Sequence, residues 1–347
     1  MNKLAKSCTY CAALTALATS AHAQVSQTNI VSDGFTSSVS STPKLVNPIG
    51  LAFSLHSPLW IASAGSNVSA QYWDGGKSDP LNVVVPINQP SGVVYNPGTG
   101  FAVTSGGVTE PASYIFVTQT GRIAGWAPGV DRTTAVVAVN NVVPLSCYKG
   151  VEISNFNGKQ YLYAANFHEG KIDMFDSNFM LEGSFTDPNM PSNYAPTNVK
   201  EVGGYLVVTY GQVGPARLNA TSGQGLGFVD LFTNDGVFVR QLAAGGRLNS
   251  PYGIATAEPN WGNYEGQLLI GNHGDGHIIA IDMLSGTTEP IKDTSGNTLA
   301  IDGLWSIAMR PILSPKGTGN LINALFFTSG PNNGANGLVG RLTFQSQ

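Results

Sequence analysis

Tyr148-Lys149-Gly150-Val151-Glu152, followed after a loop by Leu162-Tyr163-Ala164-Ala165-Asn166, is the phrase on which the reading of this chain turns, because it returns six times. Its first half recurs as Pro48-Ile49-Gly50-Leu51-Ala52, Pro90-Ser91-Gly92-Val93-Val94, Pro196-Thr197-Asn198-Val199-Lys200, Pro251-Tyr252-Gly253-Ile254-Ala255 and Leu304-Trp305-Ser306-Ile307-Ala308. Its second half recurs as Leu59-Trp60-Ile61-Ala62-Ser63, Ile115-Phe116-Val117-Thr118-Gln119, Leu206-Val207-Val208-Thr209-Tyr210, Leu268-Leu269-Ile270-Gly271-Asn272 and Leu325-Phe326-Phe327-Thr328-Ser329. The fourth residue of the first half is always apolar, and that of the second half is always small. Short β-rich runs repeating every ~40 to 58 residues are the signature of a propeller, one four-stranded blade per repeat. The expected fold is therefore all-β, a six-bladed β-propeller occupying residues 24–347 as a single domain.

The blades are expected at 50–87, 92–140, 150–186, 198–243, 253–292 and 305–344. The last of these supplies only three strands. The run Thr28-Asn29-Ile30-Val31-Ser32 is expected to add the missing outer strand, closing the ring and removing its open edges.

Composition agrees with a many-turned β protein. The chain has 42 Gly and 20 Pro, and only 11% of its residues are charged, as tight turns demand. No stretch carries helical periodicity, so helix content should be near nil. Lys3 and Lys6, an apolar run from Ala12 to Ala18 and Ala21-His22-Ala23 read as a secretory signal peptide over 1–23. The mature chain is then expected to be exported, soluble and monomeric, without a membrane span. Cys8 and Cys11 would leave with the signal, so Cys147 alone remains and no internal disulfide can form. Without Lys3 and Lys6, 15 basic residues face 21 acidic ones, a net charge near −6. With no basic run, nucleic acid and anionic membrane are poor partners.

Blade topology sorts the loops onto two faces. One face should carry the second-to-third-strand turns and the blade-to-blade loops, including 166–170, 187–196, 272–277, the insertion 211–226 and the entry at Asp302. The other face should carry mostly short hairpins, such as 155–159 and 176–178, and His56 falls there. Long loops on a rigid ring favour recognition, so the insertion-bearing face is the candidate binding face.

Tyr148-Lys149-Gly150, the run from Leu162 to His168 with Lys171-Ile172-Asp173-Met174-Phe175-Asp176, and Ile301-Asp302-Gly303-Leu304-Trp305 resemble a family of uncharacterised bacterial secreted proteins related to NHL-type propellers. The resemblance runs from about Asn29 to Thr343 and implies a fold and an export address, but no reaction. Some members carry a C-terminal PEP-CTERM sorting tail; this chain ends Arg341-Leu342-Thr343-Phe344-Gln345-Ser346-Gln347, so anchoring by that route is not expected. A looser similarity is to gluconolactonase-type six-bladed propellers, whose central divalent metal is held by Glu, Asn and Asp. Only generic pieces of that pattern match.

Several side chains could carry chemistry. Asn166, His168, Asn198, Asn272, His273 and Asp302 lie on or beside loops of the candidate face. Amide and carboxylate oxygens suit Ca²⁺, and imidazoles would shift the preference toward a transition metal. The same residue types also cap turns and tie blades together. Glu152 and Lys200 occupy a position where the other copies have Ala52, Val94, Ala255 and Ala308. Glu152 is either a general base or metal ligand tuned by burial, or half of an ion pair with Lys200. Tyr148, Tyr210, Tyr252 and Trp305 form either an aromatic rim for stacking on a sugar or peptide side chain, or wedges between blades. His273-Gly274-Asp275-Gly276-His277 reads as a tight turn. No G-x-S-x-G elbow or phosphate-binding loop occurs. The leading expectation is a binding platform presenting the insertion-bearing face to a protein, peptide or glycan. The alternative is a metal-dependent hydrolase or lactonase at the channel mouth.

Overall fold

The computed structural model describes residues 24–345 apart from 56, 77, 85–87, 143–144, 315–316 and 318. The predicted signal, with Cys8 and Cys11, and His56 lie outside the described residues.

The six repeats form six antiparallel blades. Blade 3, the most regular, runs from the centre outward as Tyr148–Phe156, Lys159–Asn166, Lys171–Phe175 and Leu181–Phe185. The inner strands of the others are Pro48–Ala52, Pro90–Tyr95, Tyr194–Val202, Pro251–Thr256 and Leu304–Leu313. In the sixth blade the outer position is taken by Gln24–Ser32, antiparallel to Leu338–Gln345. The expected closure is therefore present, with the short strand Ser40–Ser41 added outside it.

Alternation along each strand gives a blade two apolar faces, so the core lies in the joints between blades rather than at one centre. Six apolar clusters fill the six junctions among the described residues. Between blades 1 and 2, for example, Trp60 stacks on Tyr114 at 4.3 Å and meets Trp126 at 4.7 Å.

A β-bulge recurs at the mouth of every inner strand. Pairing skips Ile49, Ser91, Lys149, Thr197, Tyr252 and Trp305, the second residue of each phrase. A bulge bends the strand and re-aims its extra side chain. Here it turns one residue per blade toward the axis. The third position must then let neighbouring inner strands close up. A Cβ on Gly92 would lie 2.9 Å from the Lys149 carbonyl, and one on Gly150 only 1.8 Å from Asn198 Oδ1.

The face opposite the insertion carries more than short hairpins. Blade 2 inserts a hairpin there, Ala102–Ser105 with Val108–Pro111, and blade 5 inserts a 3₁₀ turn, Gly262–Tyr264. Alternation alone did not reveal these, because each is a local turn outside the repeated phrase.

Candidate functional site

The bulged residues meet at the floor of a basin of about 520 Å³ on the insertion-bearing face. Lys149, Thr197, Tyr252 and Trp305 contribute from four inner strands, with Gln119, His273 and Asn219 beside them. Asn219 belongs to the blade 4 insertion, which Arg217 fastens to blade 3 through a 2.9 Å bond to the His168 carbonyl.

Lys149 is the most unusual of these groups. It is 5% exposed, and its ammonium donates to two neutral acceptors, Gln119 Oε1 at 2.9 Å and Asn219 Oδ1 at 3.0 Å. The Phe167 ring lies 5.8 Å away. Among the described residues no carboxylate forms an ion pair with it. Burial pulls its pKa below the usual lysine range, because desolvation penalises the charged form. An ammonium has three donors, so two bonds leave one N–H uncommitted.

His273 and Trp305 form one wall. Their rings stack at 3.6 Å, and Trp305 Nε1 donates to Asn47 Oδ1 at 3.0 Å. His273 Nδ1 lies 3.0 Å from the Leu304 carbonyl, which assigns the proton to Nδ1 and leaves Nε2 as an acceptor. Burial holds this imidazole below its ordinary range.

Tyr252 closes the channel beneath the basin. It is 2% exposed and shares its hydroxyl proton between the Ser91 carbonyl at 3.0 Å and the Lys149 carbonyl at 3.2 Å. Blade 5 thus reaches blades 2 and 3 across the axis. Below it lies a second cavity of about 270 Å³, lined by Glu152 and Lys200.

That placement separates Glu152 from the basin. Glu152 lines the second cavity, with Tyr252 between it and the basin. It does pair with Lys200, at 2.7 Å, with side chains 9% and 45% exposed respectively. Burial raises the Glu152 carboxyl despite Lys200, which opposes the rise. A folded pKa above the unfolded one means this group's stabilising contribution is full below the unfolded pKa and is lost as pH rises through the folded value. Lys200→Met should therefore cost about 1–2 kcal/mol near neutrality, discounted from a fully buried pair because the lysine is half exposed. The cost should vanish in acid, below about pH 4, and Glu152→Gln should remove the pH dependence. Thermal melts of the two variants across pH would show a constant Lys200→Met cost if the reading is wrong.

Two of the four rim aromatics are wedges instead. Tyr148 is fully buried, donates to Asp173 Oδ2 at 3.2 Å and packs edge-on against Phe175. Tyr210 is fully buried in the joint between blades 3 and 4. Each lies where an inter-blade face needs a large side chain, and only Tyr252 and Trp305 reach the basin.

Asn166, Asn198 and Asp302 are committed to the backbone or to local contacts rather than to a common centre. Asn166 donates to Glu169 and Asp173, lies 3.2 Å from the Ser146 hydroxyl and accepts from the Cys147 and Glu169 amides. Asn198 donates to the Tyr252 carbonyl at 2.9 Å and accepts from the Val199 amide. Asn272 donates through Nδ2 to the Arg247 carbonyl while its Oδ1 is buried without a partner among the described residues, and Asp302 accepts from the Asn332 amide. His168 Nδ1 is buried without a partner among the described residues and does not line the basin. Among the described residues no three His, Cys, Asp or Glu side chains are grouped to hold a metal ion.

Lys149, Gln119 and Asn219 were missed by the sequence reading. A signal existed: of the second-position residues Ile49, Ser91, Lys149, Thr197, Tyr252 and Trp305, Lys149 alone is charged.

Comparison with known proteins places the chain without naming a reaction. No protein-family model matches it. It is 30% identical over 328 residues to the uncharacterized protein R648 of Acanthamoeba polyphaga mimivirus, spanning 90% of this chain and 78% of that one. Among solved structures, a catalytically inactive virginiamycin B lyase from Staphylococcus aureus with quinupristin matches with a TM-score of 0.52 and 12% identity, over 93% of this chain and 99% of the other. The soluble aldose sugar dehydrogenase of Escherichia coli matches with a TM-score of 0.52 and 11% identity, over 92% and 99%. At such identity these structures share the fold alone. The chain belongs to the family of R648.

Proposed function

We propose that this member of the R648 family is an exported binding protein whose basin takes a peptide or glycan fragment bearing a carboxylate. The observation that carries this reading is Lys149, a buried cation with neutral partners and an uncommitted donor at the floor of a basin. Burying a charge without a counter-charge costs several kcal/mol, and a bound anion repays that cost. Trp305 offers a flat surface for a sugar or apolar side chain, and His273 Nε2 accepts from a ligand hydroxyl or amide. Export follows from the N-terminal segment read as a signal peptide.

A metal-dependent hydrolase or lactonase at this mouth has less support. Asn166 and Asn198 spend their amides on neighbouring groups, and Glu152 faces the other cavity.

The test is calorimetric titration of the full chain with acidic peptides and uronic-acid oligosaccharides, each beside its neutral amide. The carboxylates should bind and the amides should bind at least tenfold more weakly. Affinity should fall as pH rises through the depressed Lys149 pKa, since the cation is lost there. Equal binding of acid and amide would overturn the reading.

A further inference from the structure

Three side-chain amides at the basin are oriented by groups that can only donate. An ammonium and an indole N–H have no acceptor to offer, so any amide they bond must turn its oxygen toward them. Lys149 Nζ donates to Gln119 Oε1 at 2.9 Å and to Asn219 Oδ1 at 3.0 Å, and Trp305 Nε1 donates to Asn47 Oδ1 at 3.0 Å. All five residues line the basin.

Each amide oxygen is thereby engaged, and each NH₂ group is turned away from the ammonium or the indole. Gln119 Nε2, Asn219 Nδ2 and Asn47 Nδ2 make no hydrogen bond to another described residue. Asn47 and Gln119 are half-buried and Asn219 is exposed, so these donors are open to a ligand rather than sealed in the core. Lys149 adds its uncommitted N–H. Among the described residues no Asp or Glu lines the basin.

The donors fall into two groups. Lys149 of blade 3, Gln119 of blade 2 and Asn219 of the insertion make one, around the positive charge. Asn47 makes the other, held at the entry to blade 1 by Trp305 of blade 6, which stands across the ring from blade 3. A carboxylate on the first group leaves Asn47 to be met by further acceptors of the same ligand. A peptide brings a backbone N–H with every residue, each needing an acceptor, and the oxygens of these three amides are already taken. A pyranose brings only oxygens: its ring and glycosidic oxygens accept, and its hydroxyls both accept and donate. His273 Nε2 is an acceptor for one such hydroxyl.

We propose that the basin binds an acidic sugar, a uronate of a glycan, with its carboxylate on Lys149, Gln119 and Asn219 and its ring and hydroxyl oxygens toward Asn47 and His273. The inference rests on the reading of Lys149 as a carboxylate anchor and narrows that reading to one ligand class. The volume of about 520 Å³ lies in the range of sites that enclose small molecules.

The experiment is calorimetric titration of the full chain with four singly charged carboxylates: methyl galacturonide, methyl glucuronide, cyclohexanecarboxylate and N-acetylglutamate α-amide. Cyclohexanecarboxylate keeps the charge and the ring but has no further acceptor, and the capped glutamate stands for an acidic peptide. The better uronide should bind at least tenfold more tightly than either. Asn219→Asp keeps the acceptor for Lys149 and gives it a counter-charge, so it should weaken every carboxylate at least tenfold. Asn47→Asp keeps the acceptor for Trp305 and removes the NH₂ group. Aspartate, like asparagine, tolerates the left-handed φ of 46° at this position. Its added charge repels all four anions alike, while the lost donor is felt only by the sugars. The preference for the uronide over cyclohexanecarboxylate should therefore fall at least threefold. Cyclohexanecarboxylate or the capped glutamate binding as tightly as the better uronide would overturn the sugar assignment and leave Lys149 as a carboxylate anchor. If none of the four binds, the anchor itself falls and the proposal with it. An unchanged preference in Asn47→Asp, with the variant folded by its circular dichroism, would also overturn the proposal.

Discussion

Lys149→Met is expected to give a protein that melts higher than the wild type and no longer binds carboxylate ligands. The lysine is buried with neutral partners only, so the folded state carries a desolvation cost that methionine, of similar length, does not. Replacing buried charge by apolar side chains commonly stabilises by about 1–4 kcal/mol. The lower half of that range is expected, about 1–2 kcal/mol, because Gln119 and Asn219 lose a donor. The pH dependence gives an independent check. With its folded pKa depressed, Lys149 holds fewer protons in the native than in the unfolded chain between the two pKa values, so wild-type stability rises with pH across that window. The advantage of the methionine variant should therefore be largest below the folded pKa and shrink toward about pH 10. Denaturant unfolding at several pH values, with a carboxylate titration of each protein, measures both parts. A variant that loses stability, or keeps its ligand, removes Lys149 from the proposed role.

Tyr252→Ala should be among the most destabilising single changes, at about 3–5 kcal/mol for a buried aromatic. Its ring packs with Ile49 and Ala64 and meets Trp305 edge-on at 5.1 Å, and its hydroxyl serves two carbonyls on other blades. Removing it should also join the two cavities into one water-filled channel, visible in a crystal structure of the variant. Tyr252→Phe separates the two contributions. It keeps the plug but orphans the Ser91 and Lys149 carbonyls, for about 1–3 kcal/mol. Urea unfolding of the pair provides the comparison, and a Tyr252→Ala loss below about 1 kcal/mol would show that the ring does not depend on its axial plug.

The fold was legible because its information is local and repeated. An apolar residue at the fourth place of the first half-phrase and a small one at the fourth place of the second are needed wherever two blades pack, so each copy repeats the same constraint. The closing strand was legible for a related reason, since Thr28–Ser32 was a β run without a partner and blade 6 lacked a strand. The pairing of Glu152 with Lys200 also followed from equal positions on neighbouring inner strands.

The site was less legible. Tyr148 and Tyr210 carry the same residue type as Tyr252, yet they turn into blade joints, where alternation leaves a large apolar space. Tyr252 is turned to the axis by a bulge that no residue pattern announced. Asn166, Asn198 and Asn272 looked like oxygen donors for a metal, and each holds a neighbouring backbone or side-chain group instead.

The sequence by itself determined the blade number, the strand order and the identity of the face with the long loops, because strand alternation and repeat period are properties of neighbours along the chain. The tertiary structure alone decided which side chains share the basin, that Tyr252 seals the axis beneath it and that Lys149 lies without a counter-charge. Those properties depend on bulges that redirect one residue in each blade, and on distances between residues 30 to 161 positions apart in the chain, which local pattern does not encode.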